Sequence, residues 1–167
     1  AEALKGLDGI QLGVWGHTCE GHYQGGCTPG DELAIHQYYT PEHPEMSGLE
    51  KISSFSNNLD GYAIAYVAMQ MDKYYKDAPT KVLIHISDGM PHAYGYGGSR
   101  AMSHMLGISK LAKQKGIKVI GIEVCNAFDH ASGNAMYGPG NFVILNGMSG
   151  FQSIITNLVT RVANSRF

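Results

Sequence analysis

Charge is scarce in this chain. Only 16% of its 167 residues are Asp, Glu, Lys or Arg, where about 25% is usual. The net charge is −2, so the basic face of a nucleic-acid binder is missing and nucleic acid is not an expected partner. No apolar run approaches the ~18 residues that a membrane span needs, so no membrane partner is expected. Residues 1–8 carry two acids and no long apolar stretch, so no signal peptide is read there. Cysteine is limited to three, an odd number. With no leader, that favours reduced thiols and a cytoplasmic setting. Catalytic signatures are missing too: there is no Gly-x-Ser-x-Gly elbow and no His-Glu-x-x-His pair. Gly95, Gly97 and Gly98 precede a helix as a phosphate loop would, but their spacing fits neither a Walker A nor a dinucleotide fingerprint.

What is present suits a single α/β domain over residues 1–167. Hydrophobic residues make up 44%, enough for a core that buries roughly 70% of the unfolded surface. Apolar runs alternate with amphipathic stretches. Ile10–Gly16 and Leu33–Tyr39 read as strands, with a polar loop over 17–30 between them. A short helix is expected within Met46–Phe55. Ile64, Val67, Ala68, Met71 and Tyr75 fall at helical spacing, so a helix is expected over Gly61–Tyr75, capped by Asn58 or Asp60. Val82–Ser87 and Ile117–Val124 are continuous apolar runs, as in strands covered on both faces. Between them, Met102, Met105, Leu106 and Ala112 mark a helix that ends at Gly116, a suitable C′ residue. Asn141–Leu145 reads as a short strand. Phe151, Ile154, Ile155, Leu158, Val159 and Val162 give a terminal helix, with Ser149 and Gln152 at capping-box spacing. This order implies a doubly wound, mostly parallel sheet, with ligands beyond the carboxyl ends of the strands.

Several residues on that plan carry chemistry. Asp88 follows the strand Val82–Ser87 and precedes Gly89, so its carboxylate is expected at the sheet's open edge. Asn58 and Asp60 stand at a helix start that can fold to the same edge. His92 lies in the loop after Asp88. His17, Cys19, His22 and Cys27 form a second cluster of zinc-type ligands, though at no standard spacing. His85 lies inside a buried strand and reads as a core histidine. Lys110, Lys113, Lys115 and Lys118 gather at a helix C-terminus, where cations suit the helix dipole.

The segments ISDGMP and NNLDGYAIAY, with GIQLGVWGHT before them, resemble von Willebrand factor type A domains. They are most similar to the one carried by a cobaltochelatase subunit of cobalamin biosynthesis. The resemblance implies a metal-ion-dependent adhesion site holding Mg²⁺ or another divalent cation, with Asp88, Asn58 and Asp60 as its ligands here. It implies a protein-interaction module that offers the ion to a partner's carboxylate, within an assembly driven by an AAA+ ATPase. The family's Asp-x-Ser-x-Ser motif is absent. The resemblance therefore implies that the family's first, central strand lies upstream, leaving a slot between the strands at Ile10–Gly16 and Val82–Ser87. The rival expectation is a metal-assisted hydrolase or zinc protein using Asp88, His92 and the Cys19, His22, Cys27 loop.

Overall fold

A computed structural model describes residues 9–20, 32–52, 57–124, 129–145 and 150–164. Strands β1 (Val14–Glu20) and β2 (Glu32–Tyr39) form an antiparallel pair. A 3-10 turn (Met46–Lys51) follows, then helix α1 (Asp60–Tyr74). Strand β3 (Lys81–Ser87), helix α2 (Gly98–Gln114) and strand β4 (Ile117–Glu123) come next. Helix α3 (His130–Tyr137), strand β5 (Phe142–Ile144) and helix α4 (Phe151–Asn164) complete the order. Strands β3, β4 and β5 form a parallel sheet in that order. The chain is thus mixed α/β, with a three-stranded parallel sheet packed by helices, compatible with a Rossmann-like fold.

The core follows the sequence pattern. Strand β4 is central and almost wholly buried, as a continuous apolar run requires. Helix α1 turns Ile64, Ala68 and Met71 inward, and α2 turns Ala101, Met105 and Ala112 inward. All of these side chains except Ala101 meet Leu83, Ile117, Val119 and Met136 in one cluster. Gly116 ends α2 at φ 74°, the left-handed C′ position that an achiral residue occupies most easily. Asp129 caps α3 by accepting from Ser132 N at 2.8 Å.

Three expectations are corrected. Neither Asn58 nor Asp60 caps α1; Leu59 is its N-cap, without a side-chain bond, because the Asp60 carboxylate turns inward. The first strand is Val14–Glu20 rather than Ile10–Gly16. Its ladder to β2 runs through His17↔Ile35, Cys19↔Leu33 and Glu20↔Glu32, so the partner strand sets its length. Cys19 is consequently not in the polar loop expected over 17–30: it is fully buried, packed with Ala93, Tyr96 and Ala101. The segment 21–31, with His22 and Cys27, lies outside the described residues, as do Cys125 and Ser149.

Strands β1 and β3 belong to separate sheets, with no ladder between them among the described residues. Cys19 N instead donates to Asn57 O at 2.7 Å. Side chains, not backbone, bring β1 and β3 together.

Candidate metal centre

The meeting point is a group of three side chains. His17 comes from β1, His85 from β3, and Asp60 is the first residue of α1. His85 lies two residues before the carboxyl end of β3, the end where doubly wound sheets place their ligands. Asp60 is 1% exposed, His85 is 6% exposed, and the His17 side chain is 19% exposed. Access to the group is therefore from the His17 side.

The three facing atoms form a nearly equilateral triangle. His17 Nε2 and His85 Nε2 are 3.2 Å apart. Asp60 Oδ1 is 3.5 Å from the first and 3.3 Å from the second. Ligand atoms held at about 2.0–2.1 Å by a tetrahedral zinc stand about 3.3 Å apart. An octahedral Mg²⁺ at about 2.1 Å would draw them to about 3.0 Å. Among the described residues, this is the one group of three or more His, Cys, Asp or Glu side chains able to hold a metal ion.

Unmet bonding capacity points the same way. Both Asp60 carboxylate oxygens are buried without a hydrogen-bond partner, as is His17 Nδ1. An uncompensated buried carboxylate costs several kcal/mol, and a cation in the triangle offsets that cost. Burial, together with the neighbouring His85, holds the His17 pKa below its usual value, against the pull of Asp60. A neutral imidazole is the form that binds metal.

Behind His85 lies a buried polar chain. His85 Nδ1 is 2.8 Å from the Tyr137 hydroxyl, which donates to Glu123 Oε1 at 2.7 Å. Burial pushes the Glu123 carboxyl up to about 7; the Tyr137 hydrogen bond and His85 oppose this, while Asp60 and Asp88 add to it. Burial and Glu123 also keep the Tyr137 hydroxyl protonated.

Of the ligands expected from sequence, Asp60 joins this group and the other two stand apart from it. Asn58 Oδ1 accepts from His92 N at 2.6 Å, and Asn58 N donates to His92 O at 3.0 Å. Asn58 thus fastens the start of α1 to the loop after β3. Asp88 is exposed in the turn that Ser87 Oγ shapes by bonding Gly89. His92 is also exposed. The glycine loop closes on itself through Ala93–Tyr96 and a bond from Arg100 to Gly95 O at 3.1 Å. His85 is buried as expected of a core residue, but it faces the triangle. The pairing of His17 with His85 has no local signature: His17 falls just outside the strand expected at Ile10–Gly16, and the one signal was His85, a titratable residue inside a buried strand.

The chain matches no family model, none of the curated proteins and none of the solved structures with which it was compared. Among the described residues, no helix is long and apolar enough to cross a membrane.

Proposed function

We propose that this chain is a metal-dependent binding module. Its ion sits on His17, Asp60 and His85, with a further coordination position open to a partner's carboxylate. The observation that carries this is Asp60: two buried oxygens with no hydrogen-bond partner, one of them 3.3 and 3.5 Å from two imidazole nitrogens. Two imidazoles and one carboxylate favour Zn²⁺ or a neighbouring transition metal over Mg²⁺. Three protein ligands leave a tetrahedral ion one free position.

The test is calorimetric titration of the full chain with Zn²⁺, Co²⁺ and Mg²⁺. Stoichiometric Zn²⁺ or Co²⁺ binding is expected, falling at least about ten-fold in Asp60→Asn or His17→Ala. Absence of Zn²⁺ and Co²⁺ binding, or binding indifferent to both substitutions, overturns the proposal.

A second reading keeps the von Willebrand type A resemblance in full. There Mg²⁺ sits at the Asp88 edge with Asn58 and Asp60, and the partner is a protein of an AAA+ ATPase assembly. It is favoured by the position of Asp88, exposed just past the carboxyl end of β3. Under this reading Asp88→Ala and EDTA each abolish partner capture; capture that survives both refutes it. The hydrolase reading has less support, since Cys19 is sealed in the core.

A further inference from the structure

Proton counting along the buried chain behind His85 fixes more than packing. An ionised carboxylate only accepts hydrogen bonds, and a phenol has one proton to give. With Glu123 ionised, the Tyr137 hydroxyl gives its proton to Glu123 Oε1. Toward His85 it can therefore only accept, so the Nδ1 contact at 2.8 Å is an N–H donated by the imidazole. A neutral imidazole has one such proton. With that proton on Nδ1, Nε2 carries a lone pair, and Nε2 is the atom facing Asp60 and His17.

We propose that Tyr137 and Glu123 are positioning residues of the metal centre: through this two-bond chain they hold His85 as its Nδ1–H tautomer and present the Nε2 lone pair to an ion. The proposal rests on the metal-centre reading above.

The surrounding fold is built around the chain. His85 and Gly121 are partners in the β3–β4 register. The Tyr137 ring lies over Gly121 so closely that a Cβ there would collide with it. Glycine at 121 thus lets the phenol reach the imidazole on the neighbouring strand. Glu123, two residues further along β4, is fully buried. A carboxylate sealed in a core is costly, and here its Oε1 accepts the one proton that sets the polarity of the chain. If the polarity were reversed, a proton would sit on Nε2 and close the ligand position.

The experiment uses the full chain with ¹⁵N-labelled histidine, metal-free, at a pH above the Glu123 value of about 7. Nitrogen chemical shifts report the His85 tautomer directly, and a Co²⁺ titration followed by visible absorbance reports affinity. The wild type is expected to show His85 as Nδ1–H. Tyr137→Phe keeps the ring and removes the hydroxyl; it should mix the tautomers and lower Co²⁺ affinity roughly 10–100-fold. Should that variant not fold, Glu123→Gln carries the test. Its amide can turn either a donor or an acceptor to Tyr137, so mixed tautomers are expected there as well. An Nε2–H tautomer in the wild type overturns the proposal, as do wild-type tautomer and affinity in the folded variant. If the wild type binds no Co²⁺, the metal reading fails on its own, and the tautomer comparison still decides whether Tyr137 and Glu123 set His85.

Discussion

Glu123→Gln should change how the stability of this protein depends on pH. The carboxyl moves from 4.5 to about 7 on folding, chiefly because it is buried. It therefore holds its proton about 3 kcal/mol more tightly in the folded chain than in the unfolded one. Between these values the folded state binds more proton than the unfolded state. The stabilisation is fully present below pH 4.5, is lost as pH rises toward about 7, and stays lost above that. Glutamine has nearly the same shape, can still bond the Tyr137 hydroxyl, and does not titrate. The difference in unfolding free energy between variant and wild type should thus shift by about 3 kcal/mol in the variant's favour across that window. In a domain of this size that is roughly 6–12 °C in melting temperature. His17 acts in the opposite direction: its pKa is lowered by burial, so stability falls as pH drops below 6.5. That contribution is common to both proteins and cancels in the difference. The assay is urea unfolding of chelator-treated wild type and variant from pH 4 to pH 9. Parallel stability curves would refute the argument, because they would mean that Glu123 ionises as readily in the core as in water.

Cys19→Ser should cost about 1–2 kcal/mol in urea unfolding, since a hydroxyl replaces a thiol at a fully buried site; an unchanged midpoint would place the side chain in solvent. Gly121→Ala should destabilise by about 1–3 kcal/mol through collision with the Tyr137 ring, and a neutral result would show that the ring is free to move. Gly116→Ala should cost about 1–2 kcal/mol from its positive φ alone, measured by thermal melt. If it stabilises instead, the helix ends in another conformation.

Local periodicity carried much of this fold. The apolar runs at Val82–Ser87 and Ile117–Val124 became β3 and β4 with ends moved by a single residue, because strands buried on both faces write their burial directly into composition. The helices at Asp60–Tyr74 and Gly98–Gln114 were legible from their inward stripes, and the stop at Gly116 from its chirality requirement. Asp60 stood among the ligand candidates through the family resemblance, while its own neighbours read as a helix cap. The rest depended on contacts distant in sequence. The span of β1 is set by its ladder with β2, a strand distant in sequence, which moved His17 and Cys19 from a supposed loop into a strand. His85 reads as a core histidine from its own neighbours. Only packing brings it within 3.2 Å of His17 and 3.3 Å of Asp60, with Tyr137 and Glu123 behind it. Those five residues come from five elements, and no sequence period links them. Their meeting is decided by register between strands and by the path of each helix across the sheet, quantities that exist only once the chain has folded.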